Sequence, residues 1–298
     1  MRAWWLLPLV IVATACHSDS TGPGGGTVLQ VPTGLVGTSL DGRIALFWDD
    51  NAFAADPNGF QNYNVFSTSY SFTGTDYLHG QCSTSWKLEG STVAPEFVVG
   101  ALSNGVPQCF AVSAVNKNQQ ESARSTPRND TPRPEAHNVV VYASQVKLAQ
   151  SGFRFWKDLN NDGVVQDNEL GLVLAGNSPD ADFSIERFRT NPDSLAIQPR
   201  RSGTRLALYD SLPLASLNSI DLAPDPLVPR TPTLDYSTDG ATAFPGIGYV
   251  FEMPDPVIQS AFVYGAVRPT HVGPQFTILE WSFQTDPNNP ELRKSRKP

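Results

Sequence analysis

Proline and glycine are spread along the whole chain and limit what it can fold into. The 298 residues include 25 Pro and 23 Gly. They leave few windows long enough for a helix, because Pro lacks a backbone donor and clashes with the preceding turn. Hydrophobic residues make up 40% and charged residues 17% of the chain, which excludes a disordered polyanion and a polytopic membrane protein. We therefore predict an all-β globular chain, long enough for two domains.

The charge balance narrows the choice of partners. Lys and Arg number 21 against 29 Asp and Glu, for a net charge of −8. Nucleic acids and anionic lipid surfaces both require clustered basic residues. We therefore predict no nucleic-acid partner, and we interpret the basic run in residues 291–298 as a solvated tail.

The first sixteen residues are typical of an export signal. Arg2 precedes an apolar run over residues 4–12, which is shorter than the roughly 20 residues of a membrane-spanning helix. The next four residues, Ala-Thr-Ala-Cys at 13–16, resemble the lipobox of bacterial lipoproteins. That resemblance implies removal of residues 1–15, a lipid on Cys16, and a location in the bacterial cell envelope, at the outer membrane or the cell surface. The alternative is an ordinary secretory signal with an incidental cysteine.

Two further cysteines follow a polar, Gly-rich stretch over residues 16–29, which we interpret as a flexible tether. With Cys16 lipidated, the count of three cysteines leaves Cys82 and Cys109. An exported, oxidising compartment favours a disulfide between them. The bond would stabilise the fold by roughly 3 to 4 kcal/mol. The alternative is two free thiols.

Residues 30–134 contain short β-branched and aromatic runs separated by turn signals. The predicted strands cover residues 43–48, 63–66, 96–99 and 109–115. Apolar residues alternate within them, as in Ile44, Leu46 and Trp48 on one strand. Alternation of this kind is expected where two sheets pack their inner faces together. The pattern predicts a β-sandwich.

Several motifs in this segment resemble the fibronectin type III family. They are Val31-Pro32-Thr33-Gly34-Leu35, Leu46-Phe47-Trp48-Asp49, Tyr63-Asn64-Val65-Phe66, Leu102-Ser103-Asn104-Gly105 and Phe110-Ala111-Val112-Ser113-Ala114-Val115-Asn116. The resemblance implies a module for presentation or binding rather than catalysis, with its last strand beginning at residues 122–125. Gln108 replaces the usual corner tyrosine, and Asn118 is expected to supply positive φ in a turn without glycine. Prolines over residues 126–134 predict a stiff linker.

Residues 135–290 read as a second β-rich domain for which we identify no family. The predicted strands cover residues 138–143, 152–156, 170–174, 182–187, 204–209, 248–253, 261–267 and 276–283. Large apolar residues alternate in several of them, for example Tyr249, Phe251 and Met253. We interpret these residues as core, because large apolar side chains on strands usually pack inward.

A calcium-type loop lies within this second segment. Residues 158–169 read DLNNDGVVQDNE and fit the pattern D-x-[DN]-x-[DN]-G-x5-E. The spacing supplies the oxygen ligands that Ca²⁺ prefers. The predicted ligands are Asp158, Asn160, Asp162, the Val164 carbonyl, Gln166 and Glu169. The flanks are strand-like, so the loop resembles those of bacterial surface-protein repeats more than a helical EF-hand. The alternative is an Asx-rich turn that binds no metal.

No catalytic motif stands out. The four histidines lie far apart in the sequence, and the single S-x-x-K, at residues 144–147, has no companion motif in its strand-like segment. We therefore predict a lipid-anchored, non-catalytic binding or structural module with one structural Ca²⁺ and an unknown protein or glycan ligand. The alternative is a carbohydrate-binding or carbohydrate-active lipoprotein, for which Trp156 or Trp281 would be exposed beside a groove.

Overall fold

The chain folds as two β-sandwiches in succession. The computed structural model describes residues 29–71, 80–163, 165–188, 194–224, 235–258 and 260–292. The predicted signal peptide, lipidation site Cys16 and almost all of the predicted tether lie outside these residues, as does most of the basic tail. The all-β prediction is confirmed. None of the short helices in the described part of the chain has the length and apolar character of a membrane-spanning segment.

The first sandwich contains eight strands in two sheets. The strands are β1 (Val36–Leu40), β2 (Arg43–Phe47), β3 (Phe60–Ser71), β4 (Gln81–Cys82), β5 (Lys87–Thr92), β6 (Glu96–Val99), β7 (Gln108–Asn116) and β8 (Arg128–Asp130). One sheet has the order β1-β2-β6, and the other has the order β4-β3-β7-β8, with β5 also pairing β3. A short helix, α1 (Asn51–Ala55), joins β2 to β3. Both sheets are antiparallel and they pack face to face, as the resemblance to the fibronectin type III family predicts.

The inner faces of these two sheets form one core. Ile44 and Leu46 on β2 and Phe110 on β7 are fully buried, as their alternation predicts. Trp48 meets Tyr63 edge to face, with ring centroids 5.3 Å apart. Such aromatic pairs add about 0.5 to 1.5 kcal/mol beyond their area burial. The sandwich is therefore held by side chains that alternate along each strand.

The prediction that Asn118 supplies the positive φ is wrong, because the left-handed residue is Gln119, at φ 62°. The side-chain oxygen of Asn116 accepts the backbone N–H groups of Asn118 at 3.0 Å and Gln120 at 2.9 Å. These bonds fix the turn and place the left-handed position one residue later. The loop keeps its reversal without a glycine.

The predicted disulfide is present between Cys82 on β4 and Cys109 on β7. Its two cysteines are 27 residues apart in sequence, and their Cα atoms are 5.7 Å apart. Cys109 is fully buried and follows Gln108, the position without the corner tyrosine. The covalent bond joins the short β4 to the centre of its sheet.

The proline-rich segment differs from a simple linker. Within it, Arg128–Asp130 form β8 and pair with β7. The chain already runs along β7 at the predicted start, because Ser122 and Ser125 donate their N–H groups to the carbonyls of Ala114 and Val112. Ser122 and Ser125 still contact β7, where their hydroxyls accept the backbone N–H groups of Ala114 and Val112. Residues 131–134 are buried. The connection between the sandwiches is therefore packed rather than extended in solvent.

The second sandwich contains ten strands in two five-stranded sheets. The strands are β9 (Glu135–Tyr142), β10 (Gly152–Trp156), β11 (Leu170–Leu174), β12 (Phe183–Arg187), β13 (Leu195–Pro199), β14 (Arg205–Leu208), β15 (Ala241–Thr242), β16 (Tyr249–Pro254), β17 (Phe262–Val272) and β18 (Phe276–Gln284). The sheet orders are β11-β10-β12-β13-β15 and β14-β16-β17-β18-β9. Helix α2 (Ser144–Lys147) and three 3-10 turns, Leu148–Gln150, Asp167–Glu169 and Leu217–Ser219, complete the described elements.

Aromatic side chains from both sheets fill the core between them. Phe155 contacts Phe183, Phe251, Trp281 and Phe283, with ring centroids 5.4 to 6.2 Å apart. A second, smaller cluster that includes Leu217, Tyr264 and Leu292 covers the outer face of the β14-β16-β17-β18-β9 sheet. This sheet is therefore buried on both faces over part of its area, which explains its continuous apolar runs.

Candidate functional site

The calcium-type loop connects two paired strands. β10 and β11 pair antiparallel, with Trp156 opposite Leu170 next to the loop. Between them the chain reverses through Asn161 at φ 59° and Gly163 at φ 73°, a left-handed region that glycine and asparagine tolerate. Val164, the predicted carbonyl ligand, lies outside the described residues. The hairpin holds the two ends of the loop at a fixed separation.

The first half of the loop is organised by the carboxylate of Asp158. Its Oδ1 accepts the N–H of Asp162 at 3.2 Å, and its Oδ2 accepts the N–H of Gly163 at 2.9 Å. The side-chain oxygen of Asn160 also accepts the N–H of Asp162, at 3.1 Å. These bonds wrap the backbone around the two side chains that come first in the predicted ligand set.

The carboxylate of Asp162 holds the amide side chains of Asn160 and Gln166 beside it. Its Oδ2 accepts Nδ2 of Asn160 at 2.9 Å and Nε2 of Gln166 at 3.0 Å. Four predicted ligand side chains, Asp158, Asn160, Asp162 and Gln166, therefore form one hydrogen-bonded group. Asn160 and Asp162 are exposed at this position.

Glu169 closes the loop from inside the protein. Its side chain is buried, and Oε1 accepts the N–H of Leu159 at 2.8 Å. Oε2 accepts the indole N–H of Trp156 at 3.2 Å and the N–H of Gln166 at 3.3 Å. Because Leu159 follows Asp158 directly, the last predicted ligand returns to the beginning of the loop.

The donor set consists of oxygen atoms and suits a hard cation such as Ca²⁺. Among the described residues, however, no three His, Cys, Asp or Glu side chains are placed closely enough to hold a metal ion. Three of the six predicted ligands are of other kinds: the side chains of Asn160 and Gln166 and the backbone carbonyl of Val164. The Ca²⁺ ligand set therefore stays a prediction, with its side chains ordered by their own hydrogen bonds.

Charged side chains support the base of the loop. Lys157 Nζ lies 2.6 Å from Oδ2 of Asp180, and this hydrogen bond lowers the pKa of the Asp180 carboxyl below its usual value. Deeper in the fold, Asp182 accepts the backbone N–H of Phe155 at 2.8 Å and Nε of Arg201 at 2.8 Å. Arg154 also pairs with Asp182, at 3.4 Å. The hairpin is therefore anchored by ion pairs as well as by its strands.

A cleft of about 750 Å³ lies between this loop and the first sandwich. The first sandwich contributes Asp41 and Gly42 in the β1-β2 turn and residues 102–106 before β7. The second sandwich contributes residues that include Val165, Asp167, Leu170 and Thr285. The sequence alone does not reveal this cleft, because its walls come from segments that are distant in the chain.

The two sandwiches are in direct contact beside the cleft. Gly105 donates its N–H to the carbonyl of Pro132 at 2.9 Å, and a Cβ built on Gly105 would lie 2.0 Å from Oγ1 of Thr285. On the second sandwich, Phe283 donates its N–H to the carbonyl of Pro134 at 3.0 Å. The absence of a side chain at Gly105 therefore permits the close approach of the two sandwiches.

The tryptophans that would mark a glycan platform are buried. Trp156 and Trp281 are each 4% exposed and belong to the aromatic core. The S-x-x-K segment forms helix α2 rather than a strand, and Lys147 Nζ lies 5.0 Å from the ring centroid of Tyr142. The two tryptophans therefore belong to the core, and Lys147 packs against Tyr142. The sequence alone had left these residues open to a role in ligand binding or catalysis.

One carboxyl group near the cleft has an unusual environment. Asp286, next to Thr285, is 6% exposed, and burial raises its pKa to about 7. A hydrogen bond from Asn289 opposes the shift, and the charge of Glu291 adds to it. The group therefore changes its protonation near neutral pH.

No family model and no curated protein matches the chain. Among solved structures, FN3tt matches at 24% identity over 36% of this chain and 97% of its own, with a TM-score of 0.27. A Fn3-like protein from Clostridium thermocellum matches at 19% identity over 35% of this chain and 92% of its own, with a TM-score of 0.26. A DUF4466 family protein from Parabacteroides merdae matches at 11% identity over 85% of this chain and 99% of its own, with a TM-score of 0.38. The similar structures thus include fibronectin type III domains, over about a third of the chain.

Proposed function

We propose that the chain is a lipid-anchored protein of the bacterial cell envelope that acts as a non-catalytic binding or structural module. In this proposal a lipid on Cys16 holds the protein in the outer membrane or at the cell surface. The two sandwiches are displayed beyond the tether, and one Ca²⁺ stabilises the hairpin loop of the second. The ligand is a protein or a glycan.

The observation that carries the proposal is the disulfide between Cys82 and Cys109. Stable disulfides form outside the reducing cytosol. The bond therefore supports the export signal with evidence that does not depend on the first residues of the chain. It leaves Cys16 as the one remaining cysteine in the sequence, in the position that lipidation requires.

The arrangement of the charged side chains favours a structural role over catalysis. Asp182 is paired with Arg154 and Arg201, and Glu252 is paired with Arg205. Each of these acidic groups is engaged with a basic partner within the fold, as expected for buried structural charges. The buried junction between the sandwiches gives a displayed module a defined shape.

The proposed Ca²⁺ would be held by Asp158, Asn160, Asp162, Val164, Gln166 and Glu169. Extracellular sites of this kind bind at ~10⁻⁴ to 10⁻³ M, which suits a structural ion. The ion would neutralise the acidic side chains of the loop and hold the exposed turn on the buried Glu169. Its contribution is then to stability rather than to chemistry.

Membrane fractionation tests the anchoring. The native chain is expected in the membrane fraction, and Cys16→Ser should release it into the soluble exported fraction. Ser20→Ala serves as the matched control, because it changes a residue shortly after the signal without touching Cys16 or the disulfide. Recovery of the Cys16→Ser protein in the membrane fraction at the native level would contradict the lipid anchor.

A second candidate function is carbohydrate binding, and the cleft is the observation that favours it. Its volume of about 750 Å³ lies in the range of about 300 to 1,000 Å³ found for small-molecule sites. The buried tryptophans do not contribute to it. Any recognition of a sugar by this cleft would therefore rest on polar and aliphatic side chains.

A further inference from the structure

Two Asn-Gly pairs occur in the sequence, at residues 58–59 and 104–105. Such pairs are reactive in unfolded chains, because glycine has no side chain to shield its backbone nitrogen. That nitrogen attacks Cγ of the preceding asparagine: a C–N bond forms, a succinimide ring closes, and the side-chain –NH2 leaves with the glycine amide proton as ammonia. Water then opens the ring at either carbonyl and yields aspartate or isoaspartate. Each pair is therefore a candidate site of deamidation.

The nitrogen that would attack at the second pair is engaged in the junction between the sandwiches. Gly105 donates its N–H to the carbonyl of Pro132 at 2.9 Å. Thr285 of the second sandwich packs over the Cα of Gly105, in the space that a side chain would occupy, and is itself buried. The turn must therefore separate from the connection and from the second sandwich before Gly105 can react.

The side chain of Asn104 is held as well. Its Nδ2 donates to Oδ1 of Asp41 at 2.8 Å, and its Oδ1 accepts the N–H of Gly42 at 2.9 Å. Both partners lie in the turn between β1 and β2. Rotation of Cγ toward the nitrogen of Gly105 breaks these bonds. Reaction at Asn104 thus requires the loss of hydrogen bonds at both of its reacting groups.

Conversion would change the chemistry of this contact. The product carries a carboxylate at position 104 and lacks the Nδ2 donor that Asp41 accepts. The two carboxylates would face each other with like charge at hydrogen-bond distance, which is unfavourable. The described lining of the adjacent cleft adds the carboxylate of Asp167 and no Lys, Arg or His. Isoaspartate would also add a methylene to the backbone beside Gly105, where Thr285 leaves no room. The native bonds of the turn therefore do not re-form around either product.

The contacts that protect Asn104 are thus the contacts that its conversion removes. Asn104 and Gly105 also line the cleft, so that water reaches the turn as soon as the junction opens. We propose that Asn104 is a deamidation site which the closed junction protects, and that its conversion keeps the junction from closing again. The modification thereby turns a reversible opening of the two sandwiches into a permanent one.

The first Asn-Gly pair provides an internal comparison. Gly59 donates its N–H to Oδ1 of Asp56 at 2.8 Å, in the loop between α1 and β3. Both residues belong to the first sandwich, and neither lines the cleft. Protection at Asn58 is therefore local, and we expect it to be independent of the junction.

Rates of deamidation in the intact full chain test the protection. Peptide mapping by mass spectrometry at mildly alkaline pH follows Asn104 and Asn58 in the same sample. Asn104 should convert at least about tenfold more slowly in the native chain than in the guanidinium-unfolded chain, because reaction requires prior opening. Thr285→Ala removes the cover of Gly105 and should speed conversion at Asn104 but not at Asn58. Asp56→Ala is the matched control and should speed conversion at Asn58 alone.

Two results would overturn the protection. One is conversion of Asn104 at the same rate in the native and the unfolded chain. The other is a Thr285→Ala variant in which Asn104 keeps its native rate, or in which Asn58 accelerates by the same factor. Protection would then come from the global stability of the fold rather than from the junction.

Asn104→Asp tests the consequence, since it installs one of the two products directly. Hydrogen exchange should become at least about tenfold faster at the N–H of Gly105 and at that of Phe283, which donates to the carbonyl of Pro134 at the junction. Asn58→Asp is the matched control and should leave both exchange rates at their native values. Native exchange rates in Asn104→Asp would overturn the proposal that conversion keeps the junction open.

Discussion

The indole Nε1 of Trp156 lies 3.2 Å from Oε2 of Glu169, so the last side chain of the calcium-type loop is bonded directly to the aromatic core. Trp156 ends β10 and contacts Phe283, with ring centroids 6.5 Å apart. The position of Glu169 is therefore set by core packing, while the other loop side chains lie near the surface.

This bond predicts that Trp156→Phe lowers stability. The substitution keeps an aromatic ring but leaves one oxygen of the buried Glu169 without its indole donor, which should cost about 1 to 3 kcal/mol of unfolding free energy. Urea unfolding measures the loss. Trp86→Phe is the matched control, because Trp86 is only half-buried beside Arg124. Equal stability of the two variants would contradict the role of the bond.

Added Ca²⁺ should raise the thermal unfolding midpoint of chelator-treated protein. At a free concentration ten times the dissociation constant, a ligand of the native state contributes about 1.4 kcal/mol. The double variant Asp158→Ala/Glu169→Ala should lose the response. Asp167→Ala should keep it, because Asp167 lies in the same loop but outside the predicted ligand set. A midpoint that Ca²⁺ does not move in the native chain would refute the calcium assignment.

Removal of the disulfide should destabilise the first sandwich. Cys82→Ala/Cys109→Ala opens a covalent loop between cysteines 27 residues apart, which corresponds to roughly 3 to 4 kcal/mol in the chain-entropy model. Denaturant unfolding under oxidising conditions checks the value. Reduction of the native chain should reproduce the loss, and adding reductant to the double variant should change nothing. An unchanged native midpoint after complete reduction would contradict the prediction.

Asp286 should make stability depend on pH. Burial raises its pKa in the folded state from 3.8 to about 7, so folding favours the protonated form. The stabilisation is present in full at low pH, declines as the pH rises from about 4 to about 7, and is absent above that range. Asp286→Asn should remove this decline, whereas Asp239→Asn, at an exposed carboxylate, should retain it. Unfolding free energies measured from about pH 4 to about pH 7 test this prediction. Parallel profiles for the native chain and Asp286→Asn would contradict a role of Asp286 in the pH dependence.

The strands were predictable where apolar residues alternate over several positions. The runs at 152–156 and 170–174 coincide with β10 and β11, because both are short runs of aromatic and aliphatic residues. β15, at Ala241–Thr242, was missed because two residues carry no period. β13, at Leu195–Pro199, was also missed, since its closing proline is a turn signal in sequence and here ends a paired strand.

The cleft and the buried acid were not predictable in the same way. The turn at Asn104 and Gly105 was recognisable, but its contact with Thr285 depends on how the two sandwiches pack. Nothing local distinguishes Asp286 from the exposed aspartates, because its burial comes from the fold around it. Sequence patterns thus identified the loop residues, which are consecutive, and missed the site built from distant segments.

Mass spectrometry of the protein isolated from membranes of cells that express the full chain tests the central proposal most directly. We expect a mature N-terminus at Cys16 carrying a diacylglyceryl group, together with a peptide pair joined through Cys82 and Cys109. A chain that retains Met1, carries no lipid, and has both thiols reduced would contradict it.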